Sequence, residues 1–569
     1  MERVWLKHYE AGVPAEIDAR AYPSLAAVFQ QSCERFAERD AFHNMGAALT
    51  YRAFDRHARD FAAFLQHELG LQKGDRVALM MPNVLQYPVA LFGVLRAGLV
   101  AVNVNPMYTH RELAHQLSDA RPRAIVVVEN FCHTLQAALR DAPVEQVIVT
   151  GLGDLLGGGR GALVNFAVRH VRRMVPAWSI PGRVRWKKAL ELGTDHDFDA
   201  PDIGLDDLAF LQYTGGTTGL AKGAMLTHGN MIANLEQISA WLRREEGSET
   251  VITPLPLYHI FSLTANLLTF VKHGGTNALI TNPRDIPAFV KTLAAEPFTA
   301  MTGVNTLFNA LVNNEAFRAL TFAHFNLAVG GGMAVQHRVA ERWQEITGTV
   351  LIQGYGLTET SPVVCANPLN VDRFNGTIGV PVPSTEVSVR DDAGNELAAG
   401  EAGELCVRGP QVMKGYWEKP EETEHVFFVD GWLRTGDIAT IDAEGWVTIV
   451  DRKKDMIVVS GFKVFPNEVE DVAVTHDGVL EAACIGVPDE ESGEVPCLYV
   501  VPRPGTELDL DDLRRFLRRE LTGYKVPRRI EIRAELPKTN VGKILRRELR
   551  DDEGESAGQA PPGTHVSPR

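Results

Sequence analysis

Between Tyr213 and Lys222 the chain concentrates three threonines, three glycines and a lysine, in the order Tyr213-Thr214-Gly215-Gly216-Thr217-Thr218-Gly219-Leu220-Ala221-Lys222. Glycines let successive backbone N–H groups point into one concavity, which favours an anion. Thr214, Thr217 and Thr218 add hydroxyl donors, and Lys222 adds a mobile positive charge. The chemistry this suits is the cradling of a polyphosphate. The segment is not a Walker A loop, because Gly223 follows Lys222 where Ser or Thr would stand. It follows the apolar run Leu208-Ala209-Phe210-Leu211, and a helix is expected from about Asn230, which places the loop between a strand and a helix.

The elements that must position such a loop read as alternating strands and helices. Arg76–Met81, Val100–Val104, Ala124–Val128 and Gln146–Val149 are apolar runs of buried-strand type. Later strands are expected at Ala209–Tyr213, Phe298–Val304, Leu327–Gly330 and Val350–Gln353. Phe54, Ala58, Phe61, Leu65 and Leu69 share one face of a helix expected over Arg52–Leu69. Such alternation implies right-handed βαβ units and parallel sheets. After about Pro381 two hairpins follow, Thr385–Arg390 with Glu404–Arg408 and Leu433–Ile441 with Trp446–Val450. Beyond Asp451-Arg452-Lys453-Lys454-Asp455 come a helix near Pro466–Val474, strands at Ala482–Val487 and Cys497–Val501, and a charged helix at Leu510–Leu521. The expected class is α/β: a large N-terminal body of parallel-rich sheets flanked by helices (residues 1–452, with a small antiparallel region at about 381–452), a mobile α+β C-terminal domain (453–550) and a disordered tail (551–569).

Composition narrows the function. The 569 residues carry a formal charge of −15, which disfavours a nucleic-acid partner bound through a basic surface. Six scattered cysteines without a CxxC argue against a zinc ribbon or a disulfide scaffold. The start lacks a signal-peptide layout, and the most apolar stretch, Val89–Val104, falls short of the ~20 residues a membrane span needs. A cytoplasmic protein is expected, with no oligomeric state legible and a homodimer compatible with it.

The loop resembles the phosphate loop of the adenylate-forming enzymes, which comprise acyl-CoA synthetases, adenylation domains and luciferases. Four further segments resemble the family's motifs in order and spacing: Gly354-Tyr355-Gly356-Leu357-Thr358-Glu359-Thr360; Gly431-Trp432-Leu433-Arg434-Thr435-Gly436-Asp437; Asp451–Asp455 with Ser460-Gly461-Phe462-Lys463; and Pro537-Lys538-Thr539-Asn540-Val541-Gly542-Lys543. The match spans roughly residues 25 to 550. Thr281–Pro287, Thr302–Phe308 and Asp451–Glu470 are worded most like bacterial long-chain fatty-acid–CoA ligases.

The resemblance implies ATP and CoA as co-substrates, a fatty acid as acyl donor and Mg²⁺ as cofactor. A carboxylate attacks the α-phosphate, pyrophosphate leaves, and a thiol then displaces AMP from the acyl-AMP. An anion meeting a polyanion demands charge neutralisation and positioning. Mg²⁺ needs hard oxygen ligands; Glu359 is the carboxylate, with Thr214 or Thr358 as hydroxyl partner. Gly331 and Gly332 let backbone approach the adenine. Tyr355 can stack on it, and Gln353, Gly354, Gly356 and Thr358 flank the nucleotide. Asp437 can accept the ribose hydroxyls and Arg452 donate to them. Lys543, a compact charge on a flexible stem, is expected to bridge carboxylate and α-phosphate. Lys454 aligns with the hinge about which the C-terminal domain rotates, where many relatives carry Asp. Rotation would withdraw Lys543 and bring in Ser460, Gly461 and Phe462 to line a CoA tunnel. His259 and Phe261, with Val304 and Asn305, are expected along the acyl chain, His259 as gate or substrate-orienting group.

An adenylation enzyme loading a carrier protein is the alternative, although no GGxS carrier serine follows Lys543. The stretch Arg160–Lys188 holds eight basic residues and no acidic one, interleaved with Leu163, Val164, Phe166, Val168, Val171, Met174 and Trp178. It is expected either to rest on an anionic membrane surface or to be a solvated insertion.

Overall fold

The computed structural model describes residues 3–214, 221–489, 491–539 and 542–558. Two large sheets carry the body. The first runs Val184–Arg185, Gln146–Thr150, Ala124–Val128, Arg76–Met80, Val100–Asn103, Leu208–Thr214, Lys222–Thr227 from edge to edge. Its pairs are parallel except the last, which is antiparallel. The second has a parallel centre of Leu351–Gly356, Leu327–Gly330, Ala300–Gly303, Thr250–Thr253, Thr276–Leu279 and Asp40–Asn44, with antiparallel strands added at both edges. Ala124–Val128 is apolar without alternation and buried at every position, as a parallel strand covered on both faces requires.

Helices Tyr51–Ala63 and Gln86–Arg96 pack into a core shared by the two sheets. They meet closely at Gly93, where a Cβ would fall 2.7 Å from the Phe61 ring. His110–Ala120 and Cys132–Ala138 cover the far face of the first sheet. Ile286–Ala295, Asn305–Val312 and His337–Thr347 cover that of the second. The α/β class and the parallel sheets are as the alternation predicts. The helix expected over Arg52–Leu69 is α-helical only to Ala63 and ends in a π turn, Phe64–Glu68.

Both expected hairpins form, and they join into one antiparallel sheet of Glu386–Arg390, Gly403–Arg408, Leu433–Ile441 and Val447–Arg452. After a turn at 453–455 a separate sheet begins, built on the long hairpin Val479–Asp489 and Gly493–Pro502. Helices Pro466–Thr475 and Leu510–Glu520 pack on it.

Two expectations change. The glycine-rich loop does not lead into a helix: it is closed by the antiparallel pair Leu208–Thr214 and Lys222–Thr227, with Thr214 opposite Lys222. The helix His228–Leu242 starts only after this strand, under its own Thr227–Asn230 capping box. Its N-terminus is therefore not at the loop. The tail expected from Asp551 is also shorter. The helix Arg546–Gly558 runs through its first residues, pinned where Arg529 and Tyr499 bind Glu553 and Arg533 pairs with Asp552 at 3.3 Å. Residues 559–569 lie outside the described residues.

Candidate active site

Gly215, Gly216, Thr217, Thr218 and Gly219 lie outside the described residues, but the mouth of their loop is set by the Thr214–Lys222 pair. A further segment runs alongside the strand Lys222–Thr227. Met225 N–H donates to Gly415 O at 2.9 Å, Lys414 N–H to Met225 O at 3.0 Å and Trp417 N–H to Gly223 O at 2.8 Å. This segment lays Tyr416 beneath Lys222, whose ammonium stands 5.0 Å from the ring centroid and 2.5 Å from Glu422.

The strand Leu351–Gly356 delivers the next group. At Gly356 a Cβ would fall 1.9 Å from Pro362 O, so only glycine lets the chain turn there into the short helix Thr358–Thr360. That helix carries Glu359, whose Oε1 accepts from Tyr416 Oη at 2.7 Å. Tyr355 Oη donates to Asp437 Oδ2 at 2.6 Å, and Arg452 Nε lies 3.5 Å from Asp437 Oδ1. Burial, and then the Asp437 carboxylate, push the Tyr355 hydroxyl far above its ordinary range, so it stays a donor. Gln353 is largely consumed by structure: its Oε1 accepts from Val335 N–H at 3.1 Å and its Nε2 donates to Thr377 O at 2.9 Å. Gly331 lies so close to Gly354 that a Cβ would come within 2.9 Å of its carbonyl, and Gly332 takes a φ of +76°.

Lys543 arrives from the C-terminal unit on a tight turn. Thr539 N–H donates to Lys543 O at 2.7 Å, and Lys543 N–H to Thr539 Oγ1 at 3.0 Å. The preceding Gly542, at φ +82°, is held by the body: Thr306 Oγ1 donates to its carbonyl at 3.0 Å. Burial, reinforced by the charge of Arg452, pushes the Lys543 ammonium down to about 7. Arg546 anchors the turn from behind, donating to Glu470 at 2.8 Å and to Asn467 Oδ1 at 2.7 Å. His259 Nδ1 accepts from Phe261 N–H at 3.3 Å, which puts the proton of the neutral ring on Nε2. Burial, with a smaller push from Lys543, moves His259 down to about 4. Asn305 Oδ1 accepts from Gln336 N–H at 3.0 Å, so that side chain braces the wall.

Many of these groups line one cavity of about 1380 Å³. Thr214, Lys222, Thr358, Glu359, Asp437, Arg452 and Lys543 form its charged end, and His259, Phe261, Val304 and Asn305 follow. The same lining includes the apolar side chains Ile238, Trp241, Leu242, Phe270 and Leu327, of which Leu242, Phe270 and Leu327 pack together. The three residues on the helix His228–Leu242 fall at i, i+3 and i+4, one face of it. A cavity with this lining offers cationic and hydroxyl groups suited to a polyanion together with apolar surface. Lys454 borders it, exposed on the turn between the two units. Ser460, Gly461 and Phe462 do not. They form the tip of the hairpin Ile457–Val459 and Phe462–Val464, with Phe462 57% exposed and stacked on Tyr524 at 4.9 Å. Sequence reading missed Tyr416, Glu422 and Thr306. The Gly415-Tyr416-Trp417 aromatic pair was the available signal for the first. No spacing announces the other two.

The fold and the cavity define an enzyme, and the chain belongs to the AMP-binding enzyme family. Residues 29–417 match the AMP-binding enzyme domain, and 468–543 match the AMP-binding enzyme C-terminal domain. It is similar to the long-chain-fatty-acid–CoA ligase of Salmonella typhimurium, at 57% identity over 554 residues that cover 97% of this chain and 98% of the relative. The enzyme of the same name from Bacillus subtilis is 37% identical, covering 98% and 99%. Among solved structures, ATP-bound MatB from Rhodopseudomonas palustris superposes with a TM-score of 0.79 at 27% identity, covering 93% of this chain and 99% of MatB. The anthranilate CoA ligase AuaEII in complex with anthranoyl-AMP shares the fold, with a TM-score of 0.84 at 24% identity over 95% of this chain and 100% of that one.

Proposed function

We propose that this chain is an AMP-forming acid–thiol ligase that converts a long-chain fatty acid, ATP and CoA to acyl-CoA, AMP and diphosphate. The observation that carries the reading is the cavity lined both by Lys222, Glu359, Asp437 and Lys543 and by apolar side chains such as Leu242, Phe270 and Leu327. A fatty-acid carboxylate at the junction of the two regions attacks the α-phosphorus. The bond from that phosphorus to the bridging oxygen breaks, and diphosphate leaves. Lys543 places its ammonium where negative charge gathers, in a water-poor site that strengthens the interaction. Lys222 holds the departing phosphates, Asp437 accepts from the ribose hydroxyls, and His259 Nε2–H is available to the carboxylate.

Mg²⁺ fits the donor set. Glu359 keeps Oε2 without a hydrogen-bond partner among the described residues and faces the cavity, and Thr214 or Thr358 adds a hydroxyl. Bound there, the ion would neutralise phosphate charge. In the second half-reaction the CoA sulfur attacks the acyl carbon, loses its proton, and AMP leaves. We assign the change between steps to rotation of the C-terminal unit about Lys454, because Lys543 lines the cavity while Ser460, Gly461 and Phe462 stand outside it. The product is a thioester of the kind β-oxidation consumes.

We also assign the protein to the cytoplasmic face of the membrane, as a peripheral visitor. Among the described residues no helix is long and apolar enough to cross a bilayer. Leu163, Phe166, Val171 and Met174 are exposed between 52% and 69%, beside exposed Arg172 and Arg173. Incubation with ATP, Mg²⁺ and oleate, with and without CoA, tests the enzyme. CoA-dependent AMP release matched by oleoyl-CoA is expected, and its failure across fatty-acid lengths overturns the assignment.

A further inference from the structure

The geometry points to Tyr416 as a positioning residue for the metal–phosphate end of the cavity, orienting Glu359 through its hydroxyl and supporting Lys222 on its ring. The proposal rests on the reading of Glu359 as the cation's carboxylate.

Three observations carry it. First, Tyr416 is held by its backbone and by its own turn rather than by the side chains it would position. Its segment pairs with Lys222–Thr227 through a bridge to Ala224, and Tyr416 N–H donates to Thr423 Oγ1 at 2.9 Å. At Gly415, φ +141°, a Cβ would fall 2.7 Å from Thr423 Cγ2, so this turn admits only glycine without displacement. The ring is 7% exposed.

Second, the segment grips Glu359 at both ends. Met413 N–H donates to Glu359 O at 2.8 Å, and Tyr416 Oη donates to Glu359 Oε1 at 2.7 Å. One carboxylate oxygen is thus spent on a neutral donor, and the other is left for a cation. A phenol hydroxyl facing a carboxylate oxygen can only donate to it. A single fixed donor restrains the carboxylate plane, which a hard cation with strict geometry rewards.

Third, the face of the same ring lies 5.0 Å from the Lys222 ammonium. Cation–π contact holds a charge over a ring without neutralising it. Lys222 keeps Glu422 as its ion-pair partner at 2.5 Å, on the exposed side of this contact. A polyphosphate arriving in the cavity can replace Glu422 while the ring stays beneath the lysine. Glu359 and Lys222, which lie 137 positions apart in the chain, thereby share one aromatic support.

The test separates hydroxyl from ring and binding from turnover. Tyr416→Phe keeps the ring and removes the donor. ATP affinity is measured calorimetrically with Mg²⁺ and in EDTA, with Mn²⁺ binding in the presence of ATP read by electron paramagnetic resonance. Because a hydrogen bond to a charged group contributes about 1.5–3 kcal/mol, MgATP and Mn²⁺ affinity are expected to fall about tenfold or more. ATP affinity in EDTA should stay within about twofold, since Lys222 keeps its support. Melting temperature is recorded in parallel. Glu359→Gln and the double variant complete a cycle, in which the hydroxyl effect should vanish once Glu359 is replaced. If Tyr416→Phe weakens ATP equally with and without metal, or weakens neither, the positioning role is wrong. If Glu359→Gln leaves the Mg²⁺ enhancement of ATP binding intact, the reading of Glu359 fails and the proposal falls with it. A normal Glu359→Gln effect with an inert Tyr416→Phe overturns the proposal alone.

Discussion

Thr306 Oγ1 donates to the main-chain carbonyl of Gly542 at 3.0 Å, tying the body to the turn that presents Lys543. A Cβ on Gly542 would fall 2.6 Å from that same Thr306 oxygen, and φ at Gly542 is +82°. Gly542→Ala therefore meets both backbone strain and a clash. We expect acyl-AMP formation to fall about tenfold or more, since both costs are of order 1–3 kcal/mol. Thioester formation from supplied acyl-AMP should change much less. Thr306→Val, which removes the donor alone, should show a milder form of the same split. Equal loss in both half-reactions would contradict the docking role.

Lys543→Ala should slow acyl-AMP formation about 100-fold or more, the scale of losing a preorganised charge at a transition state. Preformed acyl-AMP with CoA should restore most turnover. Stopped-time measurement of each half-reaction checks this, and parallel loss would reassign the lysine.

The same lysine carries a pH signature. In the free protein Lys543 is pushed down to about 7, and the proposed mechanism uses its charged form. The active fraction therefore falls as pH rises through that value. For acyl-AMP formation, kcat/KM for ATP should decline above about pH 7. Bound ATP adds negative charge that favours the ammonium, so kcat should hold to higher pH. Rates between pH 6 and 9 test this. A kcat/KM profile flat to pH 9 would mean the lysine stays charged in the free protein.

Lys454→Pro should reverse the split between steps. Proline fixes φ and stiffens the turn between the units. Adenylate formation should persist while thioester formation falls roughly tenfold or more. Circular dichroism confirms folding, and equal loss in the two steps would remove Lys454 from the hinge.

The basic insertion makes a sharper prediction with its geometry known. Arg169 and Arg185 pair with the buried Glu129, and Arg183 and Arg185 lie over Trp178 at 5.2 and 5.4 Å. Arg172 and Arg173 are exposed beside Val171 and Met174. Replacing these two by Gln should weaken binding to anionic vesicles by roughly 2 kcal/mol, more than tenfold, at low salt. Neutral vesicles should show no such difference. Co-sedimentation that ignores the change would remove the segment from any lipid contact.

The chain's own text carries its chemistry because the motifs are local. Gly356, Glu359, Asp437 and Lys543 are named by the residues around them, and the parallel strands by runs such as Ala124–Val128, since buried strands need apolar side chains on both faces. Local pattern is silent on which strand a loop returns to. The glycine-rich loop reads as leading to a helix because Lys222–Thr227 is short and partly polar; only pairing with Leu208–Thr214 makes it a strand. Tertiary structure alone sets Tyr416 against Glu359 across 57 positions and Thr306 against Gly542 across 236. It alone brings Leu242 against Phe270 and Leu327, which come from three separate elements. The reason is physical: a residue's type and neighbours decide what it can bond to. Which partner lies within a few ångströms is decided by how the sheets and helices pack.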